Sequence, residues 1–151
     1  MSTQIHKFVE EARAGTNPRV VCALQSGWLV MAQQQVLPGY CLLLPDPVVP
    51  HLNAMESNHR TLFLDEMAKV GDVLLGLTGA VRINYEMLGN AEPALHAHLF
   101  PRYANEVEEL RTRPIWFYDW DSAPTFNLHE HESFMHSLRS SLISSQPGMV
   151  K

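Results

Sequence analysis

Charge is scarce in this sequence: only 18% of its 151 residues are Asp, Glu, Lys or Arg, and 11 basic residues face 16 acidic ones. No segment gathers the Lys and Arg needed to track a nucleic-acid backbone, which argues against a polynucleotide partner. Long apolar runs are missing too. The longest, such as residues 41–44 and 73–75, fall far short of the ~20 residues that span a bilayer. Residues 1–11 mix Lys7, Glu10 and Glu11 with apolar side chains, unlike the apolar core of a signal peptide. Cysteine is limited to Cys22 and Cys41, outside any C-x-x-C pair, so two reduced, buried thiols are expected rather than a disulfide. These absences leave one soluble cytoplasmic domain over residues 1–151, with no membrane and no nucleic-acid polymer as partner. Apolar residues, 46% of the chain, suffice for one core, and the length is too short for two ordinary domains. The net charge of −5 does not exclude a small anionic ligand, since backbone N–H groups and a few aimed side chains bind phosphate.

Ile5, Phe8, Val9 and Ala12 recur at helical spacing, and Gly15 and Pro18 close that N-terminal helix. Residues 20–24 and 28–32 read as strands joined at Ser26-Gly27, and residues 40–44 as a third after a Pro38-Gly39 turn. A long helix starting near Asn58 or His59 carries the stripe Phe63, Met67, Val70, Leu74 and Leu77 and meets Gly79 at its end. Residues 80–86 and 94–100 are two further strands, separated by a loop with Gly89 and Asn90. Trp116, Phe117, Tyr118 and Trp120 are expected to pack as core or dimer contacts rather than as a base-stacking platform. Asn127 followed by Glu130 marks the start of a last helix with Phe134, Leu138 and Leu142 on its core side. Residues 146–151, with Pro147-Gly148, are expected to form a disordered tail. The sum is an α+β domain: about five mainly antiparallel strands, a long central helix, and N- and C-terminal helices.

One segment carries chemistry. In a strand, residues two apart share a face, so Ala94, His96, His98 and Phe100 project together while Leu95, Ala97 and Leu99 face the core. Imidazoles are costly to bury without partners. Two satisfied, inert histidines are one explanation. A metal site is a second, with His51, His59, His129, His131 or His136 as further ligands brought by the fold. Nucleophilic and acid–base work is the third. Spacing alone leaves the last two open. His51 and His59, on the loop before the long helix, read otherwise as surface or capping residues.

The run over residues 28–103 resembles the histidine triad (HIT) superfamily of nucleotide hydrolases and transferases, its bacterial members in particular. His96 and His98 followed by Leu99-Phe100-Pro101-Arg102 match the second and third histidines of His-x-His-x-His and the apolar, Pro-Arg sequel. Trp28 to Ala32, Val36-Leu37-Pro38-Gly39-Tyr40 and Leu42-Leu43-Leu44-Pro45 look like the family's strand, turn, strand and Pro. The resemblance implies that His96 attacks the α-phosphorus of a dinucleoside polyphosphate or nucleoside phosphoramidate, forming a nucleotidyl-histidine that water hydrolyses. One ring nitrogen of His96 would then hold its proton against a backbone carbonyl, and His98 would hydrogen-bond a non-bridging phosphate oxygen. Asn90 and Asn84 stand near family positions that contact phosphate, Arg102 holds the strand end or reaches phosphate, and Gln33 is a candidate ribose ligand. No cofactor is implied, and a homodimer is usual for the family. The chain also departs from the pattern. Ala94 replaces the first histidine and Ala32 stands where the family has a ribose-binding Asp or Asn. Val48 replaces a zinc ligand of some branches, so structural zinc is not expected. The alternative to an enzyme is a HIT-like protein that binds nucleotide without turning it over.

Overall fold

The computed structural model describes residues 2–151. A Thr3–His6 capping box opens α1 (Gln4–Ala14), and Gly15, at φ 72°, closes it. Five strands follow, β1 (Val20–Ala23), β2 (Gly27–Met31), β3 (Cys41–Pro45), β4 (Arg82–Glu86) and β5 (Ala97–Arg102), with α2 (Ser57–Thr78) between β3 and β4. The chain then runs through the short α3 (Glu108–Arg111) and a 3₁₀ turn, Ile115–Phe117, to α4 (Leu128–Ser145). The sheet is antiparallel throughout, in the order β1-β2-β3-β5-β4. This is the α+β architecture expected from the sequence, central helix included.

Alternation along the strands splits the core in two. Leu29, Met31, Cys41, Leu43, Ala97 and Leu99 face α2 and α4, where Phe63, Val70, Leu74, Leu138 and Leu142 meet them. Val30, Ala32, Tyr40, Leu42, Leu44 and Phe100 face the other way, onto Ile5 and Val9 of α1 and onto Ile115. Glycine is required at position 27, because a Cβ there would lie 1.9 Å from the Leu44 carbonyl oxygen of the paired strand. Cys22 and Cys41 are buried free thiols, in keeping with the expectation for them.

Two expectations need correction. The last strand was placed at residues 94–100 but runs over Ala97–Arg102. Residues 94–96 leave the ladder because their backbone bonds elsewhere: the Leu95 N–H donates to the Val49 carbonyl at 2.9 Å. The expected disordered tail is docked instead. Met149 is buried, Val150 bridges Leu24, and the Lys151 N–H donates to the Ala23 carbonyl at 2.9 Å. Composition concealed this, since Met149 and Val150 are the segment's only apolar side chains and their partner is the unpaired outer edge of β1.

Past β5 the chain is held by a buried ion pair. Arg102 donates to Glu106 through Nε and Nη2, to Asn84 Oδ1 at 2.9 Å, and to the carbonyls of Leu110 and Arg111. Glu106 also accepts from the Tyr103 N–H and the Tyr118 hydroxyl. Burial opposes ionisation of Glu106, but the bonds from Arg102, Tyr118 and Tyr103 outweigh it and hold the carboxyl below its ordinary value. This cluster folds residues 103–118 back over the sheet. Removing one partner of a buried pair costs about 3–5 kcal/mol, so Glu106→Ala should lower the melting temperature by roughly 10 °C, read by calorimetry. Because the folded-state value is depressed, the wild-type contribution is present above the ordinary Glu value of about 4.3 and fades as pH falls below it. The gap between wild type and variant should narrow over that range.

Candidate functional site

His96 lies just before β5 and His98 within it, on the face shared with Phe100. Their rings meet edge to face, 4.7 Å between centroids, and both residues are buried. The parity read from the sequence therefore survives the later start of the strand.

Each ring is held through Nδ1. His96 Nδ1 lies 2.8 Å from the Ala94 carbonyl oxygen. A carbonyl only accepts, so the neutral His96 ring carries its proton on Nδ1 and has its lone pair on Nε2. His98 Nδ1 lies 2.7 Å from the Tyr40 hydroxyl. Burial, with Glu86 and Cys41 adding, pushes the Tyr40 pKa up, so Tyr40 keeps its proton, and among the described residues His98 Nδ1 is the hydrogen-bond partner of that hydroxyl. Donation from Tyr40 to Nδ1 satisfies the buried O–H and puts the His98 proton on Nε2. Burial, and then the proximity of a second ionisable imidazole at His96, push the His98 pKa down to about 4, which leaves it neutral at pH 7. The two imidazoles thus differ in role: one offers a lone pair, the other a donor.

Aromatic rings frame the pair. His98 stacks on Phe100, 5.6 Å between centroids, and Phe100 stacks on Tyr40 at 4.1 Å. Trp116, from the 3₁₀ turn, stands edge-on to His98 at 5.6 Å and stacks on Trp120 at 5.0 Å. Trp116 thus packs against the candidate site itself while remaining 43% exposed. On the other side, His96 lines a cleft of about 250 Å³ with His51, Asn53 and the loop over Met87, Leu88 and Gly89.

The remaining expected site residues are scattered. Asn90 is exposed on the loop beside that cleft. Asn84 lies on the histidine face, opposite Phe100, with its Oδ1 taken by Arg102. Arg102 is buried in the cluster with Glu106 and spends its donors there. Gln33 is exposed after β2, two strands from β5, with its carbonyl bonded to the Phe126 N–H. Sequence reasoning missed Tyr40 and Glu86. Tyr40 shares strand parity with Leu42 and Leu44 and so the sheet face, but only the β3–β5 pairing brings it to His98. Glu86 pairs directly with His98. Among the described residues no three His, Cys, Asp or Glu side chains gather closely enough to hold a metal ion. His59 bonds the Ser26 carbonyl and His131 the Asn127 carbonyl. No described helix is long and apolar enough to cross a membrane.

No protein-family model matches this chain, and no curated protein does. Solved structures do. A histidine triad protein from Marinobacter aquaeolei VT8 superposes with a TM-score of 0.75 at 16% identity, covering 95% of this chain and 98% of that one. A hypothetical histidine triad nucleotide-binding protein from Sulfolobus tokodaii gives 0.72 at 13% identity, covering 94% and 96%. The diadenosine triphosphate hydrolase of Plasmodium falciparum gives 0.59 at 14% identity, covering 85% and 78%.

Nitrogen-15 NMR should find His96 protonated at Nδ1 and His98 at Nε2, with Tyr40→Phe moving His98 toward the Nδ1–H form. A His whose folded value is lowered contributes stability above its unfolded value near 6.5 and loses it as pH falls toward about 4. His98→Asn should therefore flatten the fall in stability between those two pH values.

Proposed function

We propose that this chain, which has the histidine triad fold, is a nucleotidyl hydrolase or transferase acting at the α-phosphate of dinucleoside polyphosphates or nucleoside phosphoramidates. The observation that carries this reading is the 2.8 Å hydrogen bond from His96 Nδ1 to the Ala94 carbonyl. It fixes the tautomer in which Nε2 is a nucleophile without any base to deprotonate it.

His96 Nε2 attacks the α-phosphorus, the bond from phosphorus to the leaving group breaks, and that group departs with the electron pair and a proton from solvent. Water then attacks the nucleotidyl-histidine, releasing the nucleoside monophosphate and returning Nε2 its lone pair. Another acceptor in place of water makes the reaction a transfer. His98 Nε2–H donates to a non-bridging oxygen as charge develops there, an interaction worth about 10²–10³ in rate. Because His98 stays neutral, the donor costs the site no extra cation, and the Tyr40 hydroxyl keeps it aimed. Ala94 takes the place of a third histidine, but the group that His96 needs from this residue is its carbonyl, which any residue supplies. Asn90, Asn84, Gln33 and Arg102 are the proposed substrate contacts. Asn90 beside the cleft is the best placed of them, and Arg102 acts chiefly by holding Asn84.

The names of two structural neighbours, a nucleotide-binding protein and a diadenosine triphosphate hydrolase, agree with a nucleotide as ligand. A cytoplasmic homodimer completes the proposal. Chromatography of products after incubation with diadenosine polyphosphates and an adenosine phosphoramidate tests it. AMP should appear with wild type, be abolished in His96→Ala, and fall about 10²–10³-fold in His98→Ala. Nucleotide-dependent thermal stabilisation with no AMP from wild type would replace this reading with that of a nucleotide-binding protein lacking turnover.

A further inference from the structure

Beside the histidine pair, on the β4 side, runs a groove of about 660 Å³, of whose lining the mechanism above uses only Asn84 and Arg102. One wall is β4, with Arg82, Asn84 and Glu86, and the other is the chain from Arg111 to Pro114. Register ties the groove to the histidines: Glu86 lies opposite His98, Asn84 opposite Phe100 and Arg82 opposite Arg102, and directly opposed residues share a sheet face. The groove therefore runs from Glu86, the residue opposite His98, to the level of Arg102, four residues along β5 or about 13 Å at ~3.3 Å per residue.

Its charge is unlike that of the rest of the molecule. Arg82, Arg102, Arg111 and Arg113 line it with two carboxylates, Glu86 and Glu106, an excess of two positive charges in a chain of net charge −5. Only Arg102 is ion-paired. Among the described residues, the other ion pairs are Lys7–Glu11, Arg13–Asp46 and Lys69–Asp65, so Arg82, Arg111 and Arg113 have no carboxylate partner. Two of them are nonetheless held in place. Arg111 Nη1 donates to the Ala104 carbonyl. Arg113 Nε donates to the Glu109 carbonyl, and its guanidinium lies 5.0 Å over the Phe117 ring. Guanidinium groups positioned but uncompensated match phosphate oxygens. Glu86, at the histidine end, has a buried Oε2 with no hydrogen-bond partner.

We propose that this groove is the leaving-group subsite of the histidine pair and takes an oligophosphate chain carrying its divalent cation. The proposal rests on the reading above and chooses between its two substrate classes. The arginines bind the phosphates. The cation, held by phosphate oxygens, meets the Glu86 carboxylate, which otherwise repels the chain at its head. An uncharged amine leaving group uses neither feature.

Binding of inorganic tripolyphosphate, measured by calorimetry with and without Mg²⁺, tests the subsite without turnover. Arg82→Ala/Arg111→Ala, at exposed positions, should weaken it about tenfold with the melting temperature unchanged. Glu86→Gln should tighten Mg²⁺-free binding severalfold and remove the gain from Mg²⁺. In turnover, the double variant should lose about tenfold in kcat/KM on diadenosine tetraphosphate and stay within about twofold on the phosphoramidate. Tripolyphosphate binding that is absent, or equal in wild type and the double variant, overturns the subsite, as does an equal loss on both substrates. If wild type turns over neither substrate, the His96 reading fails, and the binding measurement alone decides the groove.

Discussion

Burial of β5 is the constraint on which the rest depends. All six of its residues are buried, it is paired on both edges, and its faces enter two different core clusters. An imidazole there must be satisfied by protein or by ligand, because an unpartnered polar group in such surroundings is costly. The fold satisfies one nitrogen of each histidine and leaves the other toward the site. Burial that would make two idle histidines expensive thereby gives them different protonation.

The same burial explains the supporting residues. Tyr40 has to stand just before the neighbouring strand, stacked on Phe100, for its hydroxyl to reach His98. Arg102, four residues beyond His98, faces the same way, and its charge is met by Glu106. That pair brings back the segment carrying Ile115, which closes the second core cluster, and Trp116, which lies against His98. The candidate site and the core share one strand, and the aromatic cover of that site is anchored by an ion pair at the strand's end.

Legibility in the sequence followed the range of the interactions. Patterns of period two or 3.6 are local, so the five strands, the long helix and the common face of His96 and His98 could be read from spacing and resemblance. The Asn127 cap was likewise local, its side chain accepting from the Glu130 N–H as expected. Contacts set by pairing between distant segments were not legible. Tyr40 reaches His98 across 58 residues, and Glu86 meets it through the β4–β5 register. The docking of Val150 on Leu24 joins opposite ends of the chain. Arg102 was legible as a residue of the strand end, but Glu106 as its partner was not, since the pair needs the chain to turn back just after β5.

The docked C-terminus also makes the sheet asymmetric. Val150 and Lys151 bond backbone groups of Leu24 and Ala23 at the end of β1, whereas among the described residues β4, at the far end of the strand order, has no strand beyond it. A sheet open at both ends can recruit copies without limit, the geometry of a fibre. The C-terminus blunts one end of the β1 edge at Ala23 and Leu24, so a strand arriving at β1 cannot pair along its full length.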